Sequence, residues 1–108
     1  MRENKVAGFL GRRIRTLRKS KNLTQEQLGV NSGINYKHLG AIERGDENPS
    51  LSILEKIADG LGVEILELFR FQHEETDPAK LRKMIADLAK DEKVERLQLI
   101  LKIINVIK

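Results

Sequence analysis

The chain has 108 residues, of which 40% are hydrophobic, enough for one small domain with an appended segment. Cysteine is absent, which excludes disulfides, thiolate catalysis and cysteine-based metal sites and suits a cytoplasmic protein. The formal net charge is +4, and no apolar run is long and uncharged enough to predict a signal peptide or a membrane span.

Positive charge is concentrated at the N-terminal end of the chain. The first 22 residues contain eight Lys and Arg residues against one Glu, a formal charge of +7, so the rest of the chain carries −3. A basic segment of this kind is attracted to phosphate groups, but a solubilising helix face has the same composition. Both interpretations stay open for each of these side chains.

The first two predicted helices are marked by an apolar stripe and by a capping motif. A helix over residues 6–19 carries apolar residues at the spacing of one helix face. They are Leu10, Ile14 and Leu17. A second, short helix begins at Gln25, because Thr24 can cap it and Gln27 can return the hydrogen bond. Its expected inward residues are Leu28 and, near its end, Val30 or Asn31.

A tight turn leads into a third predicted helix. Gly33 tolerates the positive φ angle that a sharp turn needs, and Ile34 fills the angle between the two helices. Asn35 then caps a helix over residues 36–44, which Gly45 ends. The inward residues are Leu39 and Ile42, and the outward ones are Tyr36, Lys37, His38, Gly40 and Ala41.

The rest of the chain is predicted to hold four more helices and one linker. Their approximate bounds are 50–62, 64–69, a polar linker at 71–77, 78–89 and 91–108. Capping and stop residues set these bounds, such as Asp77 followed by Pro78 at a helix start. No alternation of apolar and polar residues lasts long enough to predict a strand.

Several short motifs follow one another in a fixed order and spacing. They are Leu23-Thr-Gln-Glu-Gln-Leu28, Gly33-Ile34, Ile42-Glu43-Arg44-Gly45, Asn48-Pro49-Ser50-Leu51, Ile57-Ala58, Leu61-Gly62-Val63 and Leu68-Phe69. Together, over residues 9–69, they resemble the Cro/C1-type helix-turn-helix family, also called the XRE family. The resemblance implies an all-α fold with a five-helix lambda-repressor-like DNA-binding domain over residues 1–70 and its helix-turn-helix motif at about 24–44. A two-helix C-terminal hairpin over residues 78–108, similar to that of SinR-type regulators, would follow the linker at 71–77.

The resemblance also implies which residues contact DNA. The base-reading positions are Tyr36, Lys37 and Ala41. The positions that face the DNA backbone are Thr24, Gln25, Asn35, His38, Arg44 and Asn48. A lysine can donate to guanine O6 and N7, and the alternative for Lys37 is a phosphate contact without sequence preference. Gln25 either contacts a phosphate or is an ordinary residue of the first helical turn. His38 either contacts a phosphate or makes no contact with DNA.

Arg18 and Glu43 occupy positions that form an ion pair in this family. Removal of one partner of a partly buried pair leaves an uncompensated charge, at a cost of ~3–5 kcal/mol. We therefore expect Arg18 and Glu43 to be structural, so that Glu43→Ala destabilises the domain and abolishes DNA binding indirectly.

The last predicted helix is apolar on more than one face. From Val94 to Ile107, nine of 14 residues are aliphatic, whereas a helix that covers its own domain needs only one stripe. A second copy of the chain is the predicted cover, and the alternative is that this helix packs back on the N-terminal domain. The expected dimer-interface residues are Leu97, Ile100, Leu101, Ile103, Ile104 and Ile107.

These features predict a cytoplasmic transcription regulator, a repressor that binds a palindromic double-stranded DNA operator as a homodimer. Its half-sites would lie about one helical turn, ~34 Å, apart. The alternative is an antitoxin-type or antagonist-controlled switch that autoregulates its operon, with an antagonist protein at the C-terminal hairpin. The two histidines lack the spacing of a metal site or a triad and no glycine-rich phosphate loop exists, so no catalysis, cofactor or metal is expected.

Overall fold

The structure is a computed structural model that describes residues 5–70, 79, 82, 86 and 94–106. Its elements are α1 (Lys5–Ser20), α2 (Gln25–Ser32), α3 (Tyr36–Glu43), α4 (Leu51–Leu61), a 3₁₀ helix (Ile65–Phe69) and α5 (Val94–Val106). All regular structure in these residues is helical, which confirms the all-α prediction. The predicted linker at 71–77 lies outside the described residues, as does most of the helix predicted at 78–89. Within the described ranges, no helix has the length and hydropathy that a membrane crossing requires.

Local hydrogen bonds fix where the helices begin. Thr24 Oγ1 accepts from the Gln27 amide at 3.0 Å, and Gln27 Oε1 accepts from the Thr24 amide at 2.8 Å, which completes the capping box. Asn35 and Ser50 cap α3 and α4 with their side-chain oxygens. Gly33 follows α2 with a φ angle of +72°, a left-handed conformation that turns the chain toward α3. The predicted starts of these three helices are thus confirmed.

One hydrophobic core receives side chains from every element. The largest fully buried side chains are Leu10, Ile14, Leu28, Leu39, Ile42, Leu51, Leu54, Ile57, Leu68, Phe69 and Ile103. Each such side chain contributes about 1.5–3 kcal/mol by leaving water. This core fixes α2 and α3 relative to α1 and α4, and thereby sets the surface that α2 and α3 expose.

Glycines allow two pairs of helices to approach closely. A Cβ on Gly11 would clash with the carbonyl oxygen of Ile42, so α1 and α3 meet backbone to backbone. A Cβ on Gly60 would meet Ser32 Oγ, where α4 packs on α2. A side chain at either glycine would force the helices apart.

The inward face of α2 differs from the prediction. Leu28 is buried, but Val30 and Asn31 are exposed. Gly29 and Ser32 are buried in their place. The turn into α3 leaves no room for a side chain at Gly29, and the close approach of α4 at Gly60 leaves little at Ser32. A helix of eight residues is too short for its period to reveal this.

The last helix packs on its own chain. Ile100 and Ile103 are 3% and 0% exposed, and they share the core with Leu68 and Phe69 of the 3₁₀ helix. The prediction that these two isoleucines form a dimer interface is therefore wrong. The apolar pattern of α5 correctly indicated several covered faces, but one of them covers the core of the same chain.

The other residues expected at a dimer interface differ in their surroundings. Leu97 is exposed, Leu101 is 59% exposed, and Ile104 is half-buried against the core. Ile107 lies outside the described residues. Leu97 and Leu101 are one helical turn apart, so they form a short apolar stripe on the outer side of α5.

Candidate nucleic-acid interface

The turn between α2 and α3 holds the two helices at a fixed angle. The Ile34 amide donates to the Gly29 carbonyl at 3.0 Å. A Cβ on Gly29 would lie 2.6 Å from the Ile34 carbonyl oxygen, so the turn could not close around a larger residue. The Ile34 side chain is buried in the core. The start of α3 is therefore placed rigidly beside α2.

The first turn of α3 faces solvent. The side chains of Tyr36 and Lys37 are exposed at this end of the helix. A phenol hydroxyl and an ammonium group can both donate hydrogen bonds to base edges or to phosphates. These two side chains therefore form the part of α3 that a nucleic acid could reach first.

Two residues of α3 that were expected to face outward are buried. Ala41 is only 9% exposed, which leaves little of its methyl group for a base. Gly40 is buried next to the side chains of Gln25 and Arg44. The outward prediction for Gly40 and Ala41 is therefore wrong, because buried surface spreads around α3 in its second turn, where the side chain of Gln25 covers Gly40.

Arg18 and Glu43 form a buried ion pair between α1 and α3. Arg18 Nε donates to Glu43 Oε2 at 2.7 Å, and Nη2 donates to Oε1 at 3.0 Å. Arg18 Nη1 donates to the Leu23 carbonyl at 2.8 Å, which ties the connection between α1 and α2 to the same pair. The two side chains are 11% and 3% exposed, so water screens their attraction little.

Gln25 joins this ion pair, a contact that the sequence did not reveal. Its Nε2 donates to Glu43 Oε1 at 3.2 Å, from the first residue of α2. The capping box uses the backbone amides of Thr24 and Gln27, whereas those of Gln25 and Glu26 have no partner among the described residues. Amides at a helix N-terminus favour an anion, and the side chain of Gln25 lies beside them.

Two basic residues, one in α3 and one directly after it, contact carboxylates of the following loop. His38 Nε2 is 2.7 Å from Glu47 Oε1, and Arg44 Nε is 2.9 Å from Asp46 Oδ2. Such solvent-exposed contacts are weak. Asn48 is exposed in the same loop. A phosphate at this loop would compete with the two carboxylates for His38 and Arg44.

Part of the N-terminal positive charge has structural partners. Arg13 Nε donates to the Glu67 carbonyl at 2.8 Å, and the Arg12 guanidinium lies 5.2 Å from the centre of the Phe9 ring. Arg13 and Arg18 thereby join α1 to other elements, whereas Arg12 and Phe9 both belong to α1. Exposed basic residues of the same segment are Arg12, Arg15, Lys19 and Lys21. No cluster of metal-ligating side chains occurs in the part of the chain that the structure describes.

Comparison with known proteins shows a family match over the part of the chain that contains this surface. A helix-turn-helix family model matches residues 14–68. The immunity repressor of Bacillus phage phi105 is 43% identical over 56 residues, which make up 52% of this chain and 39% of that repressor. The uncharacterized HTH-type transcriptional regulator YazB of Bacillus subtilis is 47% identical over 62 residues, 57% of this chain and 90% of YazB.

A solved structure shows the same arrangement of helices. The restriction-modification controller protein C.AhdI from Aeromonas hydrophila is 38% identical, with a TM-score of 0.59 over 60% of this chain and 98% of that protein. The match to the phage repressor spans well under half of that repressor's length. The family model ends before α5, so α5 is an addition to the matched unit.

Proposed function

Since this chain belongs to the helix-turn-helix family of transcriptional regulators, we propose that it binds DNA in a sequence-specific manner and represses transcription. The observation that carries the proposal is the exposed first turn of α3, held rigidly beside the N-terminus of α2. A helix presented in this way can enter the major groove. The similarity to a phage immunity repressor supports repression as the direction of control.

We assign base reading to Tyr36 and Lys37. The Lys37 ammonium can donate to guanine O6 and N7, and the Tyr36 side chain can use its hydroxyl or place its ring against a thymine methyl group. Both side chains are exposed at the end of α3 that would enter the groove first. Ala41 has no part in this assignment because it is buried.

Contacts with the DNA backbone are assigned to the N-terminus of α2 and to the loop after α3. Gln25 can donate its second side-chain N–H to a phosphate beside the backbone amides of Gln25 and Glu26, which have no partner among the described residues. Thr24 and Asn35 already use their side-chain oxygens as caps, so they would donate or accept only secondarily. The remaining proposed contacts come from His38, Arg44 and Asn48.

The exposed stripe on α5 is the proposed contact between two copies of the chain. Leu97 and Leu101 are large apolar side chains in water, with Ile104 beside them, and Ile107 follows three residues later in the sequence. Pairing of this stripe around a two-fold axis would cover it. A two-fold dimer would bind a palindromic operator with half-sites ~34 Å apart.

An antagonist protein is the second candidate for the same stripe. A helix that offers complementary apolar side chains could cover Leu97 and Leu101 in place of the second copy. The chain would then act as a switch whose DNA binding depends on which partner covers α5.

Selection from a pool of random DNA duplexes tests the proposed function. We expect the full-length protein to enrich duplexes that contain an inverted repeat, with half-site centres about one helical turn apart. Enrichment of single, unrepeated sites would contradict the two-fold arrangement but not DNA reading. A pool without any enriched sequence would contradict sequence-specific binding.

A further inference from the structure

Gly40 lies in the middle of α3, where a glycine weakens the helix. The nearest atoms to a Cβ at this position belong to two polar side chains. A Cβ at this position would be 3.3 Å from Arg44 Nη1, 3.5 Å from Gln25 Oε1 and 3.7 Å from Gln25 Nε2. The oxygen and the nitrogen of the Gln25 carboxamide are at nearly the same distance from this Cβ position. The carboxamide group therefore lies across the backbone of Gly40.

The same carboxamide is held from its other side by Glu43. Gln25 Nε2 donates to Glu43 Oε1 at 3.2 Å. Glu43 cannot move to follow another position of Gln25, because Arg18 holds both of its oxygens and the carboxylate is buried. Gln25 is therefore confined between a fixed hydrogen-bond acceptor and the backbone of α3.

Only a small residue at position 40 is compatible with this arrangement. A methyl group would make an ordinary contact with Gln25 and would require the exposed Arg44 side chain to move by a few tenths of an ångström. A longer side chain would need the volume that the carboxamide of Gln25 occupies. It would displace Gln25 from Glu43.

We propose that Gly40 is a positioning residue for DNA binding, which keeps Gln25 hydrogen-bonded to Glu43 and aims its second N–H at a phosphate. The inference rests on the proposed function, in which Gln25 contacts the DNA backbone. A long side chain that is already ordered loses less entropy when it binds, so the fixed Gln25 strengthens the contact. The glycine weakens α3 on its own but orders the residue beside it.

Binding to a duplex of mixed sequence tests this role, because phosphate contacts do not depend on sequence. The probe is a duplex of about 30 base pairs, roughly three helical turns, at low salt. We expect Gln25→Ala and Gly40→Leu each to lower the affinity about tenfold, the effect of losing a hydrogen bond to a charged group. The double variant should bind no more weakly than either single variant, and Gly40→Ala should bind within about twofold of the original protein.

Additive losses in the double variant, about a hundredfold, would overturn the inference, because leucine would then act independently of Gln25. Gly40→Gln provides a second long side chain of polar character should the leucine variant be insoluble. If the original chain does not bind the duplex at all, the proposed function fails, whatever the variants do.

A measurement on the free protein tests whether Gly40 holds Gln25, independently of whether the chain binds DNA. In the original chain and in Gly40→Ala, the side-chain amide resonances of Gln25 should show one hydrogen-bonded, slowly exchanging N–H. In Gly40→Leu this signature should be lost. Unchanged Gln25 resonances in Gly40→Leu would show that Gly40 does not hold Gln25, even if DNA binding is intact.

Discussion

The Glu43 carboxylate accepts two hydrogen bonds from Arg18 and one from Gln25 while it is almost fully buried. In Glu43→Ala the Arg18 guanidinium would remain buried without its counter-charge, at a cost of ~3–5 kcal/mol. We expect urea unfolding to show a loss of stability of this size. DNA affinity should fall as well, since both α3 and Gln25 lose their anchor.

The exposed contact between Arg44 and Asp46 provides the control for this prediction. Its geometry is also close, with 2.9 Å between Arg44 Nε and Asp46 Oδ2, but both side chains are mostly in water. Asp46→Ala should therefore change the free energy of unfolding by less than about 1 kcal/mol. Equal losses in Asp46→Ala and Glu43→Ala would contradict the view that burial makes the Arg18–Glu43 pair structural.

Substitutions on the two sides of α5 should have different effects, because one side is buried in the core and the other is exposed. Ile103 is fully buried in the shared core, whereas Leu101 is exposed on the outer stripe. Ile103→Ala should cost ~2–5 kcal/mol in unfolding experiments, because it leaves a cavity. Leu101→Glu should leave the stability of the single chain within about 0.5 kcal/mol but weaken self-association in sedimentation equilibrium.

Ile103→Ala should change the stability of the chain, whereas Leu101→Glu should change its self-association. A dimer that persists in Leu101→Glu would show that this stripe is not the contact between copies. An original chain that stays monomeric at all concentrations would remove the two-fold operator arrangement. In that case the exposed leucines would remain available to a different protein.

Helix ends were predictable from the sequence, whereas buried faces were predictable only in part. The capping box of Thr24 and Gln27 and the left-handed Gly33 depend on atoms within four residues, so local chemistry determines them. Which side of a short helix is buried depends on distant residues. Ala41 is buried in a turn of α3 that α1 approaches, and Ile103 is buried because α5 packs on the 3₁₀ helix.

Side-chain contacts at the candidate site were also predictable from the sequence only in part. The residue types and family positions of Arg18 and Glu43 already suggested an ion pair. The hydrogen bond from Gln25 to Glu43 spans 18 residues of sequence and depends on the crossing of α2 and α3. No local pattern contains that information, so the role of Gly40 beneath Gln25 became visible only from the structure.

In the molecule as a whole, one core supports both the surface proposed for DNA and the added C-terminal helix. The family model covers residues 14–68, and α5 extends the core of that unit through Ile100 and Ile103. The proposed DNA contacts come from α2, α3 and the loop after α3, which this core holds rigidly. The proposed sequence recognition depends on the two exposed residues at the start of α3, Tyr36 and Lys37.

The most direct test of this account compares the affinity of Lys37→Ala for a selected duplex with its affinity for a duplex of mixed sequence. If Lys37 reads a base, the variant should lose about 1–3 kcal/mol of binding to the selected duplex and much less on the mixed one, so its preference between the two falls. Equal losses on both duplexes would show that Lys37 contacts only phosphate, and would contradict base reading by the first turn of α3.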